Sequence, residues 1–196
     1  MSRLAEIRPR LVRWTAPHPD WELGAEPDSP ADWPQDVGCT LYEAPTATVF
    51  IDPLVPDDLW PDLDERVRGR DLPVRVLTTI RWHRRSRDEV LARYSGSEDV
   101  VDGVVPIPLE GLGETLYWLP EHRALVAGDR LIGAPGGGVR PCPESWLHDD
   151  GGAKGRTAEE LRQALLPLLE LPIELVLVSH GEPVLEGGRD TLAAAL

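Results

Sequence analysis

Short apolar runs punctuate this chain and are separated by proline, glycine and charged turns. Cys39-Thr-Leu-Tyr-Glu43 and Thr46-Ala-Thr-Val-Phe-Ile-Asp52, divided by Ala44-Pro45, read as a β-hairpin. Asp57 to Arg68 carries Leu59, Leu63 and Val67 at a spacing of four, the pattern of a short helix with one buried face. Pro73 to Thr79 alternates apolar positions as a strand does. Ser86-Arg-Asp-Glu89 fits a capping box, so a helix is predicted from there to about Tyr94, where Ser95-Gly96 ends it. Val104 to Ile107 is a short strand. Glu114–Leu119 and Ala124–Ala127 form a second hairpin, turning at Pro120 to Arg123. Gly128-Asp129 follows directly, then a loop rich in glycine and proline from Ala134 to Pro143. A second capping box, Thr157 with Glu160, opens a helix through Leu161, Leu165 and Leu168 to about Glu170. Glu174 to Ser179 is a buried-looking strand that stops at His180-Gly181, and Gly188 to Leu196 is a final helix.

Two β-rich halves, each accompanied by helices, make a four-layer αββα sandwich of the α/β (α+β) class the plausible architecture. Residues 1–37 stand apart. Prolines 17, 19, 27, 30 and 34, with Trp14, Trp21 and Trp33 among them, predict an irregular arm with one or two edge strands, pinned by its indoles to a domain spanning 38–196. At 196 residues the whole is one domain.

Composition narrows the partners. The formal net charge of −14 repels polyphosphate and disfavours nucleic acid. No apolar run approaches the ~20 residues of a membrane span, and the first residues lack a signal-peptide core. Cys39 and Cys142 are distant and outside any C-x-x-C pair, which points to a reducing, cytoplasmic setting. Against the acidic background stands one basic run, Arg81-Trp-His-Arg-Arg-Ser-Arg87. It begins in the loop between a strand's C-terminal end and a helix, where layered α/β folds often carry ligand sites.

Four segments, in this order and spacing, resemble the metallo-β-lactamase superfamily over roughly residues 38 to 196. The hairpin from Cys39 ends in Ile51-Asp52-Pro53. Val76-Leu-Thr-Thr79 resembles the strand that leads into that family's H-x-H-x-D-H loop. Ala127-Gly128-Asp129 stands where Gly-Asp delivers a metal-bridging aspartate, and Val178-Ser-His180-Gly181 where the last histidine belongs. The resemblance implies the fold, a hydrolase ancestry and a dizinc site. The loop itself departs from the pattern. It reads Thr79-Ile-Arg-Trp-His-Arg-Arg-Ser86; whether the motif is counted from Thr78 or from Thr79, both H-x-H positions are non-coordinating, and His83 falls on the aspartate position or between ligands. Counting back from Tyr117-Trp118 places the later histidine position on or near Glu110. A degraded site follows, with no resident cofactor as the expectation. A weak mononuclear zinc site from Asp129, His180, Glu110 and His83 is the alternative.

The replacements suggest what else could fill the cleft. One of Arg81, Arg84 or Arg85 is expected to pair with Asp129 or Glu110 in place of a dication, because an unpaired buried charge is costly and a guanidinium fits a carboxylate. Trp82 would occupy the space of metal and water, or form a wall for a ligand. The bland readings weigh against these: a solvated arginine loop, Asp129 as a turn residue, Asp52 as a structural Asp-Pro turn, and His122 and His148, the latter beside Asp149-Asp150, as surface side chains. Three functions remain open. The first is a non-catalytic module binding a small anionic ligand, which the missing ligands favour. The second is a metal-dependent hydrolase of an ester, thioester or amide. The third is self-association through the N-terminal arm.

Overall fold

The computed structural model describes residues 4–148, 153 and 155–196. A five-stranded sheet runs in the order β1 (Ala5–Arg8), β2 (Leu11–Pro17), β3 (Asp36–Glu43), β4 (Thr48–Ile51) and β5 (Val74–Leu77). A four-stranded sheet has the order β11-β8-β7-β6, from β6 (Val105–Leu109), β7 (Glu114–Leu119), β8 (Ala124–Ala127) and β11 (Leu175–Val178). A small antiparallel ribbon, β9 (Leu131–Gly133) with β10 (Val139–Pro141), extends from the end of β8. Among the described residues, four α-helices complete the fold: α1 (Trp60–Arg70), α2 (Arg87–Tyr94), α3 (Ala158–Leu165) and α4 (Gly188–Ala195).

Strand periodicity builds the layers. Side chains alternate across a pleated strand, so a strand apolar at every position must be covered on both faces. In β4, Val49 and Ile51 join Leu175 and Leu177 of β11 and Val126 of β8 in the core between the sheets. Phe50, from the opposite face of β4, packs with Leu59, Leu63 and Val67 beside α1, and with Val90 of α2. Val176 and Val178 of β11 turn the other way, onto Leu161 and Leu165 of α3 and Leu192 of α4. Three cores separated by two sheets make the αββα sandwich.

Several local expectations are met, and others are changed by tertiary contacts. The Thr157 capping box forms as the sequence implies, with Glu160 N–H on the Thr157 hydroxyl and Thr157 N–H on the Glu160 carboxylate. Pro167 then tightens the chain into a 3₁₀ segment over Leu166–Glu170. At Ser86 the box does not close; the hydroxyl instead accepts the Val55 N–H at 2.9 Å and ties the start of α2 to the turn after β4.

The N-terminal segment supplies the expected edge strand, β1, and is more regular than an arm. Residues 5–17 are the β1–β2 hairpin, and β2 is an internal strand paired with β3 from Leu11↔Tyr42 to Pro17↔Asp36. Leu11, Val12, Trp14 and Ala16 are buried core residues. Residues 18–35 lack regular structure and lie as a strap over the site edge, with Trp33 against His180 and Ser29 O on the Trp146 indole. Cys39 and Cys142 are buried free thiols in different cores, which rules out a bridge between them. Among the described residues, no helix is long and apolar enough to cross a membrane.

Candidate metal centre

Two parallel pairs, β4 with β5 and β8 with β11, bring four strand C-termini to one edge of the sandwich. Ligand sites of layered α/β proteins form at such edges, because the chain must leave the sheet there and the backbone turns free side chains inward. Hydrogen bonds between the sheets fasten this edge: Gly38 N–H to Ser179 O at 2.7 Å, and Thr115 N–H to Thr79 O at 2.8 Å.

Each strand end contributes one acidic or imidazole side chain. After β4, Asp52 sits in the left-handed region at φ 50°, a conformation aspartate tolerates better than most residues. After β5, residues Arg81–Arg84 form one 3₁₀ turn. With three residues per turn, Arg81 and Arg84 fall on the same face, which is solvent, and His83 is turned into the protein. After β8, the Gly128-Asp129 turn is held by Glu114, the first residue of β7. Its buried carboxylate accepts the N–H groups of Gly128, Asp129 and Arg130 at 2.9, 2.7 and 2.9 Å. Gly128 is required here because a Cβ would collide with the Thr79 hydroxyl. After β11, His180 precedes Gly181, whose φ of 84° and close approach to Gly133 leave no room for a side chain.

The result is a buried cluster. His83 Nε2 lies 2.9 Å and His180 Nε2 3.1 Å from Asp129 Oδ1. One ligand atom from each of the three residues falls within 4.8 Å of the others. Asp129 Oδ1 is enclosed by protein, with an imidazole nitrogen from each histidine in direct contact. Three potential ligand atoms thus converge on one buried point, a grouping that could hold a cation.

Behind His83, Nδ1 is 2.8 Å from Asp52 Oδ2. That carboxylate is itself fixed by the Thr79 N–H at 2.8 Å and by the Thr79 hydroxyl. Such a carboxylate–histidine pair sets the tautomer that leaves Nε2 free to ligate. His180 has no matching partner among the described residues, since its buried Nδ1 meets none there. Its ring is held instead by edge-to-face contacts with Trp33 and Trp146, whose centroids lie 5.4 and 5.6 Å away.

The charges are strongly coupled. Burial and Arg85 press His83 toward neutrality, but the flanking Asp129 and Asp52 carboxylates prevail and raise its pKa to about 9. Burial alone would raise Asp129, yet the adjacent imidazoles hold its carboxyl well below the ordinary range. Burial and the neighbouring Asp129 raise Glu114 to about 7. His180 is pushed down by burial.

A cleft of about 280 Å³ opens beside the triad, walled by His18, Trp33, Trp82, Arg85 and Trp146. The strap supplies the first two, and its position is fixed by the Trp146 indole N–H on Ser29 O and the Trp21 indole N–H on Trp33 O, both at 2.8 Å.

Of the residues the sequence singles out, His83, Asp129 and His180 come together, and the others take different places. Glu110 is exposed in the turn before β7 and outside the triad; the buried carboxylate of that region is Glu114. No arginine pairs with Asp129 or Glu110 among the described residues. Arg81 lies over the Trp82 ring at 3.9 Å and Arg84 is exposed. Arg85 donates to Gly38 O, Asp52 O and the Ser179 hydroxyl at 3.3, 3.1 and 2.9 Å, pinning three strand ends together. Trp82 is 48% exposed and forms part of the rim rather than filling the centre. His122 is buried against the Tyr42 ring, centroids 5.2 Å apart, instead of solvated. His148 is exposed; Asp149 and Asp150 lie outside the described residues. Asp52, read from sequence as a turn residue, touches His83.

No family model and no curated protein sequence matches the chain. Solved structures do. A crystal structure of DIM-1 metallo-beta-lactamase superposes with a TM-score of 0.59 at 12% identity, over 99% of this chain and 98% of the other. A metallo-beta-lactamase from Erythrobacter litoralis gives 0.59 at 12% identity, over 98% and 91%. A metallo-beta-lactamase family protein from Thermus thermophilus gives 0.50 at 14%, over 96% and 79%.

Proposed function

We propose that this chain, whose fold is that of the metallo-β-lactamases, is a hydrolase of small acyl compounds (esters, thioesters or amides) working with a single metal ion held by His83, Asp129 and His180. The observation that carries the proposal is the buried convergence of Asp129 Oδ1 with two imidazole nitrogens 2.9 and 3.1 Å away. Two imidazoles and one carboxylate form a donor set suited to zinc, with coordination positions left over for water and substrate. A zinc ion bound there would acidify water and polarise a carbonyl.

The remaining chemistry belongs to the protein. Asp52 accepts a hydrogen bond from the Nδ1–H of His83 and so keeps its Nε2 lone pair turned to the cleft. Glu114 fixes the turn that presents Asp129. Trp33 and Trp146 exclude water from one side of His180, which strengthens every electrostatic interaction at the cluster. Arg85 has no carboxylate partner among the described residues, so its fixed positive charge at the cleft wall is available to negative charge developing on a substrate. With Thr78 and Ile80, or Thr79 and Arg81, where the resemblance places the H-x-H imidazoles, a second metal lacks those ligands.

A second reading rests on His83. With a pKa raised to about 9, an imidazolium between Asp52 and Asp129 would balance the cluster without metal and leave a non-catalytic binding cleft. Elemental analysis of protein purified without chelators, followed by hydrolysis of 4-nitrophenyl acetate by the wild type and Asp129→Asn, separates the two. One equivalent of zinc with turnover abolished in the variant supports the hydrolase. Metal-free protein that stays inert after zinc addition supports the second reading.

A further inference from the structure

The strap carries a histidine that the metal cluster does not use. His18 lines the same cleft as His83, Asp129 and His180, but it is not one of the converging donors. Its Nδ1 accepts the backbone N–H of Asp20 at 3.2 Å, which commits the ring proton of a neutral imidazole to Nε2. The ring stands edge-to-face on Trp33 at 5.1 Å, and Trp33 stands in turn on His180 at 5.4 Å, so a chain of aromatic contacts fixes His18 relative to the cluster. Among the described residues, no group pairs with its Nε2. Burial and the Arg85 charge lower its pKa, which keeps the imidazole neutral at neutral pH.

We propose that His18 contacts the substrate, donating a hydrogen bond from Nε2–H to an acyl oxygen of a compound seated beside the metal cluster. The proposal rests on the hydrolase reading for the identity of that compound. The cleft suits an aromatic acyl group: Trp33, Trp82 and Trp146 offer flat apolar walls, while His18 and Arg85 offer the polar contacts. Neutral His18 gives up no proton. It binds and orients an oxygen on which negative charge builds.

Benzoate is a suitable probe, since it presents an acyl oxygen pair on an aromatic ring. Protein labelled with ¹⁵N-histidine and supplied with one equivalent of zinc is titrated with benzoate, with zinc content measured on the same samples. We expect His18 to show the Nε2–H tautomer before addition and its Nε2 resonance to move at saturation. His18→Phe keeps the contact with Trp33 and loses the donor; its benzoate affinity should fall about 3- to 10-fold, and His18→Gln should recover part of it, with melting temperature and zinc content unchanged in both. An Nδ1–H tautomer, a silent His18 at saturation, equal affinity in His18→Phe, or no benzoate binding would each overturn the assignment. Failure of the metal reading appears separately, as zinc-free samples, and the tautomer and benzoate response then decide His18 in that form.

Discussion

Replacing Asp52 by asparagine tests how the cluster is organised, because it changes charge and proton direction while keeping shape. In the native protein Asp52 is an acceptor only: it takes the Thr79 N–H, the Thr79 hydroxyl and the His83 Nδ1–H. Asparagine can satisfy the Thr79 amide through its carbonyl oxygen, which leaves its NH₂ facing His83. His83 Nδ1 must then accept, and its proton moves to Nε2, the atom that faces Asp129. Loss of an outer partner of this kind typically weakens metal binding about 10- to 100-fold. The lost charge-assisted hydrogen bond adds a stability cost of about 1.5–3 kcal/mol in the metal-free protein. Competition with a chromophoric chelator gives the zinc affinity, and urea unfolding of metal-free protein gives the stability. Zinc affinity within twofold of wild type would refute the assignment of Asp52 as the residue that orients His83.

Further expectations concern pH, the Gly-Asp turn and the arginines. The metal-free folded state raises the His83 pKa from 6.5 to about 9, so it binds that proton more tightly than the unfolded chain. The resulting stabilisation is complete below the unfolded value and is lost as pH climbs to the folded one. Unfolding free energies measured at about pH 6 and about pH 9 should therefore fall across the interval, and His83→Gln should flatten the fall. Glu114→Gln puts an amide NH₂ where Oε2 accepts the Asp129 and Arg130 N–H groups; we expect a loss of roughly 1–3 kcal/mol in urea unfolding, from donors left unpaired. Arg85→Gln should lower the melting temperature through its three lost contacts, whereas Arg81→Gln and Arg84→Gln, at exposed positions, should stay within about 0.5 kcal/mol of wild type. Equal effects from all three would contradict the placement of Arg85.

The layers were legible in the chain because strand periodicity and turn residues are local signals. Both hairpins from Cys39 and Glu114, and the helices near Asp57 and Thr157, follow from them directly. Site residues at strand ends were partly legible: Asp129 and His180 each follow an apolar strand and adjoin a glycine. The basic loop was not. In a 3₁₀ turn the inward face is set by a single residue's offset, so sequence offers no means of seeing that His83 points in while Arg81 and Arg84 point out. Glu110 and Glu114 present the same difficulty. Gly111 and Gly113, both with φ of 70°, fold the chain into a tight turn between them, and it is the first residue of the returning strand that reaches the Gly128 N–H. Asp52 acts on a residue 31 positions away, across a parallel strand pair that no local pattern announces. β2 was hidden by the prolines that follow it, although its own Leu11, Val12, Trp14 and Ala16 are as apolar as any core strand.

The central claim is that His83, Asp129 and His180 share one metal ion. Inductively coupled plasma mass spectrometry on protein purified without chelators or metal-affinity steps, supplied with zinc and desalted, tests it most directly. We expect one zinc per chain in the wild type and close to none in Asp129→Asn or His180→Ala. A wild-type protein that retains no zinc, or two equivalents, or a stoichiometry unaffected by both substitutions, would contradict it.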